Sequence, residues 1–284
     1  MTAVALGAAR ARRRPGVRVA YVWELRKLRA QKRTYLGLGA ALLVPLIFVT
    51  ALLIGSGGPN DVPFGRYVRE SGLAVPLVTL IFGAIWFFPL VTALVAGDIV
   101  AAEDANGTLK TILTRSIDRQ QLFAAKALAA LTYAVVALVL YVGAGLLLGG
   151  LAWGLNPLVS LSGTHVSVSR GLVLLGASTA AYLLPTIAIA ALALLLSTVT
   201  RNSAAAVVGT LMASLIMQLL GIISALDFLH PYLLSTQFNA WQGLLRDPID
   251  WAPVVRAAWV SALYALPSIG VAFAVFLRRD VAGG

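Results

Sequence analysis

The chain has no cysteine. That excludes a disulfide framework and any thiolate metal or redox centre. Histidine is nearly absent as well: His165 and His230 are the only two, too few for an imidazole metal cluster. Both fall in stretches expected to be outer loops, as surface or interfacial side chains. The chain carries no G-x-x-x-x-G-K-[ST] phosphate loop; "NGTLKT" has a Gly, a Lys and a Thr in the wrong spacing. H-E-x-x-H and G-x-S-x-G are missing too. Glu103 and Asp104 are adjacent, and neighbours on a helix diverge by about 100°, so they cannot face one substrate as a catalytic pair. No catalytic residue, metal ligand or cofactor of its own is therefore expected, and the chain is read as a non-enzyme.

Charge is the next scarcity. Only 12% of residues are charged, against about a quarter in an average soluble domain. The chain is instead 60% hydrophobic, with a mean hydropathy of +0.89. A water-soluble fold of 284 residues has nowhere to bury that much apolar surface. The composition predicts an all-α, polytopic membrane protein. A helix crossing the hydrocarbon needs about 20 mostly apolar residues, and six runs qualify, at 36–54, 75–96, 122–150, 171–198, 204–226 and 253–277. Residues 1–35 form a basic N-terminal segment and 36–284 a six-span domain. Pro45, Pro89, Pro185 and Pro267 lie inside spans, where neighbours can satisfy the freed carbonyls. Gly145 and Gly149, four apart, permit close helix contact.

An even number of spans puts both termini on one side. With that side cytoplasmic, 17 of the 22 Lys and Arg fall inside, leaving Arg66, Arg69, Arg170, Arg246 and Arg256 outside. The positive-inside rule then predicts cytoplasmic termini and a cell-membrane location. The net charge of +11 belongs to this asymmetry; no folded basic domain is available for nucleic acid. The first apolar run is span-length and lacks a small-residue cleavage site, so it is expected to be an uncleaved anchor. Just before it, Val17, Tyr21, Leu25 and Leu28 lie within about 80° of one another on a helix, with Trp23 off that stripe. Arg18, Arg26, Arg29 and Arg33 lie to one side. This pattern predicts a basic amphipathic helix in the inner interface, its arginines contacting anionic lipid headgroups.

Two inter-span segments are also patterned. In 227–252, Leu234, Phe238, Trp241 and Leu245 recur at helical spacing. They predict outer helical segments between spans 5 and 6, interfacial or re-entrant, that lid an exit path or seal the packing. Between spans 2 and 3 stands "GDIVAAEDANGTLKTILTRSIDRQQLFAAK", 97–126, with four carboxylates and four basic residues. Ala102, Ala105, Leu109 and Ile112 make an apolar stripe, and Glu103, Asp104, Lys110 and Thr111 point away from it. Asn106-Gly107-Thr108 interrupts the stripe, with Thr108 placed to cap a second short helix. This is expected to be a cytoplasmic elbow with one face on the membrane domain and one displaying charges to a partner. Away from their ends the six spans contain no Asp, Glu, Lys, Arg or His, which weakens an ion-coupled mechanism. Any work the chain does must then be driven from outside it.

That elbow resembles the stretch of type-2 ABC export permeases running from the second span through the coupling helix. The family's pattern is a carboxylate, Gly-Thr-Leu, a Leu-rich turn often containing proline, a basic residue and a lysine opening span 3. Glu103, Gly107, Thr108, Leu109, Leu113, Arg119 and Lys126 fill those positions, and Ser116 stands where proline is common. The basic N-terminal helix, "STVTRNSAAA" between spans 4 and 5, and the outer helical segment match the family's layout. The resemblance implies a membrane-spanning permease subunit of an ATP-driven exporter. It would pair with a second permease subunit, taken as an identical copy, in the lipid bilayer. Two copies of an ABC ATP-binding subunit, carrying the ATP and Mg, would dock at the coupling helix over 98–115. The implied docking residues are Glu103, Asp104, Gly107, Thr108, Leu109, Lys110, Arg115 and Arg119. By position alone, Trp86, Phe87 and Phe88 in span 2 and Gln218 in span 5 are candidates for lining the pathway. The alternatives are an ion-coupled secondary transporter or channel, and a membrane scaffold or assembly protein.

Overall fold

The computed structural model describes residues 16–55, 57–108 and 117–278. It is helical almost throughout. Helix α1 (Val17–Arg29) precedes α2 (Lys32–Ile54). Helices α3 (Ala74–Phe82) and α4 (Phe88–Ala96) are joined by a π-helical turn, Gly83–Phe87, and a short helix α5 (Ala101–Ala105) follows. Then come α6 (Arg119–Trp153), α7 (Val168–Thr200), α8 (Ser203–Leu220), the single turn α9 (Leu234–Gln237) and α10 (Ala252–Leu277). A small hairpin, β1 (Leu158–Val159) with β2 (His165–Val166), lies between α6 and α7. Among the described residues, six stretches are long and apolar enough to cross a membrane: Lys32–Ile54, Ala74–Ala105, Arg119–Trp153, Val168–Thr200, Ser203–Leu220 and Ala252–Leu277. The all-α, six-span expectation holds.

Some boundaries differ. At 1.5 Å per residue, the 35-residue α6 and 33-residue α7 are longer than the hydrocarbon requires. The fifth helix stops at Leu220 instead of running to 226: after Gly221, whose N–H still reaches Met217 O four residues back, Ile222 and Ile223 donate only three residues back, to Leu219 O and Leu220 O, and the helix tightens and ends.

The core lies where spans 2, 3 and 4 meet. The second span contains Pro89, which has no N–H to give and whose ring crowds the preceding turn. The π-helical turn just before it widens the helix and relieves that crowding. Side chains of three other spans donate to carbonyls around this turn. Tyr141 donates to Thr79 O at 2.7 Å, Tyr182 to Leu80 O at 3.0 Å and Gln218 to Ala84 O at 3.3 Å. With no water in the bilayer core, such donors are what make an irregular turn tolerable there. Phe87 and Phe88 pack on Tyr141 with ring centroids 4.8 and 5.1 Å away, and Phe88 meets Tyr182 at 5.0 Å. Close approach needs glycine: a Cβ on Gly72 would lie 2.4 Å from the backbone of Gly149, and one on Gly145 3.2 Å from Pro76 Cα. The four-residue glycine spacing in α6 therefore seats the start of span 2.

The face opposite α1 is closed by the segments between α2 and α3, α6 and α7, and α8 and α10. Arg69 reaches back to the Leu52 and Gly55 carbonyls at the open end of α2. Leu234, Phe238, Trp241 and Leu245 are all buried; Phe238 packs on Tyr182 and Trp241 stacks on Phe64. The helically spaced stripe in 227–252 is thus a packing face that seals the bundle. It forms a single α-turn and short 3-10 turns instead of one continuous amphipathic helix.

Candidate functional site

Among the described residues, most of the ion pairs gather at one end of the bundle, where α1, α5 and the start of α6 converge. Glu24 is the single acid among the bases of the N-terminal segment. It shares the inward face of α1 with Ala20 and Leu28, at spacing four, and all three are buried. Lys126, one turn into the apolar part of α6, is wholly buried. Its ammonium has three protons to place, and three acceptors surround it: Glu24 Oε2 at 3.2 Å, Glu103 Oε2 at 2.7 Å and Ile99 O at 2.9 Å. The second oxygens of the same two carboxylates take Lys27, with Oε1 of Glu24 at 2.9 Å and Oε1 of Glu103 at 2.6 Å. The result is a closed, neutral ring of two lysines and two glutamates. Each carboxylate bridges both ammonium groups. Burial opposes the charge on Lys27, but the Glu103 and Glu24 carboxylates outweigh it and hold its pKa above the ordinary lysine value.

Further pairs extend the ring. Arg33, at the start of α2, pairs with the buried Asp98 that precedes α5. Asp104 faces Arg201 at 3.7 Å, at the junction of α7 and α8. Ser197 of α7 accepts from the Val100 and Ala101 amides at 3.3 and 3.0 Å, satisfying free donors at the start of α5. Arg119 donates to Leu277 O at 2.7 Å, tying the start of α6 to the end of α10. Thr108 donates to Glu103 O at 3.2 Å, at the end of α5; the second short helix it was expected to cap lies outside the described residues. The intervening turn uses Gly107 at φ +67°, a conformation that favours glycine.

Lys126 donates to Glu24 Oε2 and Ile99 O and is ion-paired with Glu103. The site joins the N-terminal helix, the elbow and spans 3, 4 and 5 at one place.

The expected site residues fall into distinct settings. Glu103 was expected to point away from the membrane domain; its carboxylate instead turns inward to the partly exposed Lys27 and the buried Lys126, because two ammonium groups, one of them out of water, offer a stronger field than solvent. Asp104 is half-buried against Arg201. Gly107 and Thr108 are exposed. Leu109, Lys110 and Arg115, with Thr111, Ile112, Leu113 and Ser116, lie outside the described residues. Arg18, Arg26 and Arg29 are exposed on α1, as expected, while Arg33 is turned to Asp98 and away from the headgroup position expected for it. The exposed side of α1 also carries Val19, Val22 and Trp23, so Trp23, which the stripe left out, belongs to the surface face. The stripe Tyr21, Leu25 and Leu28 packs inward. Trp86 is exposed, Phe87 and Phe88 are buried in the aromatic core, and Gln218 is bound to Ala84 O.

Sequence reasoning missed Glu24, Lys27, Asp98, Ser197 and Arg201. A signal for Glu24 was present: a lone acid on the apolar side of a basic helix needs a cation opposite it. No curated protein matches the chain. The sequence model of one family matches residues 29–282, which takes in all six spans and the elbow, and the chain belongs to that family, described as "Protein of unknown function (DUF2705)".

Proposed function

We propose that this chain is the membrane-spanning permease subunit of an ATP-driven ABC exporter. In this reading it pairs with a second, identical copy in the cell membrane. Two ATP-binding subunits, which hold the ATP and Mg, dock beneath its elbow. One observation carries the reading. The segment whose sequence resembles the coupling helix of type-2 export permeases is fastened by ion pairs to α1, α6 and the α7–α8 junction. A push delivered to such an elbow reaches several spans at once, which a loosely held loop would not allow. In this reading Glu103 and Asp104 hold the elbow to the bundle, and the exposed Asn106–Thr108 turn is left to meet a motor. Trp86, the exposed member of the span 2 aromatic group, is the remaining pathway candidate there.

The test is capture of the tagged protein from its native membrane, identification of bound ATPases, and reconstitution of the pair in vesicles. The expected result is an ATP-binding subunit whose hydrolysis is stimulated by the permease. Thr108→Arg combined with Arg115→Glu should abolish its capture without altering the thermal stability of the membrane protein. Substrate movement by the reconstituted chain alone, with no ATPase present, would refute the proposal.

A further inference from the structure

A cleft of about 320 Å³ opens on the face opposite α1, between the 227–240 segment and the first turn of α10. Its polar walls include Asp227, His230, Asn239 and Arg256. Arg256 is exposed, and among the described residues no acid pairs with it, whereas Arg246 on the same face sits 3.9 Å from Asp250. Asp227 stands exposed at the other side, beside His230, whose Nδ1 lies 3.4 Å from Oδ1 and whose Nε2 lies 3.0 Å from Leu220 O. The cleft thus presents one cation and one carboxylate.

Its height in the bundle follows from what surrounds it. Phe228, Tyr232, Trp251 and Trp259 are exposed around it, with Tyr232 and Trp259 edge to face at 5.8 Å. Tryptophan and tyrosine collect at the membrane–water interface, where one end of the ring is wet and the other apolar. From Arg256, the exposed residues Trp259, Leu263 and Leu266 continue along α10 within about 80° of one another. A charged seat therefore stands above an apolar track at the level of lipid headgroups.

We infer that this cleft seats a phospholipid with an amine-bearing headgroup, of the phosphatidylethanolamine type. The phosphate sits on the Arg256 guanidinium, which binds phosphate in a two-pronged geometry. The ammonium faces Asp227, and an acyl chain lies along Trp259, Leu263 and Leu266. A net anionic headgroup would bring no charge to match Asp227. This seat does not depend on the exporter reading.

The experiment is native mass spectrometry of the delipidated protein in detergent, titrated with phosphatidylethanolamine or phosphatidylglycerol. The unaltered chain should bind phosphatidylethanolamine at the lower concentration. Arg256→Gln should weaken both lipids about tenfold, and Arg256→Lys, which keeps the charge but loses the two-pronged contact, should weaken them by less than Gln does. Asp227→Asn should keep binding and lose the preference between the two lipids. Arg246→Gln, on the same face, should change nothing. Unweakened binding by Arg256→Gln, a preference that survives Asp227→Asn, or an equal loss in Arg246→Gln would each overturn the seat. Arg256, Asp227 and Arg246 are all exposed side chains, and circular dichroism melting confirms that each variant is folded.

Discussion

At the scale of single residues, Lys126 is the group on which most depends. A buried charge is tolerable only when its partners are in place, and losing one partner strands the others at a cost of about 3–5 kcal/mol. Lys126→Met leaves Glu24 and Glu103 facing each other across a site that only Lys27 still neutralises. A loss of that size in stability in detergent denaturation is expected. The double variant Lys126→Met with Glu24→Gln should recover much of it, since one stranded charge goes with its partner. A single variant of unchanged stability would show that the ring does not form. Gly149 is held by packing instead. A Cβ there would stand 2.7 Å from Gly72 O and 2.8 Å from a Val75 methyl, and backbone cannot step aside. Gly149→Val should cost about 1–3 kcal/mol as overpacking, read as a lower melting temperature, while Gly143→Val, with open space around its Cβ position, should cost little.

At the scale of elements, the six spans were legible because hydrophobic length needs no tertiary information: an apolar run either reaches across a bilayer or does not. The elbow was legible for the opposite reason, as a two-signed cluster in a chain nearly free of charge. What periodicity could not supply was direction. Glu103 looked outward on a helical wheel, because the wheel of α5 does not contain Lys126 of α6 or Lys27 of α1. Phe87 and Phe88 looked like candidates for a pathway, because their partners Tyr141 and Tyr182 lie on two other spans. The π-helical turn was equally hidden, although Pro89 hints at an irregularity before it. Gln218 was recognised as an amide in need of a partner, and the partner is a carbonyl of that turn. Gln218→Leu should therefore destabilise the protein by about 1–2 kcal/mol, measured by unfolding in mixed detergent. Gln218→Glu, which can accept but donates only when protonated, should be worse than Leu near neutral pH and recover as the pH is lowered.

At the scale of the whole molecule, the arrangement of charge sets how the bundle sits in its bilayer. The end with α1 and α5 carries the ion-pair ring, Arg33, Arg119 and Arg201, with Arg18, Arg26, Arg29 and Lys32 exposed beside them. The opposite end carries an aromatic collar and few bases. Lys and Arg flanking spans resist transfer across the membrane, so the α1 end should stay in the cytoplasm. The lack of native cysteine makes this directly measurable. A cysteine placed at Thr108, exposed in the turn after α5, should react with a membrane-impermeant maleimide only after the cells are opened. One placed at Ser162, exposed in the turn between β1 and β2, should react in intact cells. The reverse pattern would put the elbow outside, where no nucleotide-driven motor can reach it, and would remove the physical basis for an ATP-coupled exporter. Neutralising Arg18, Arg26, Arg29 and Lys32 together should weaken the bias, giving partial labelling of both sites in intact cells, because the ring on the inward face of α1 holds that helix to the bundle but adds no net charge to fix which side it faces.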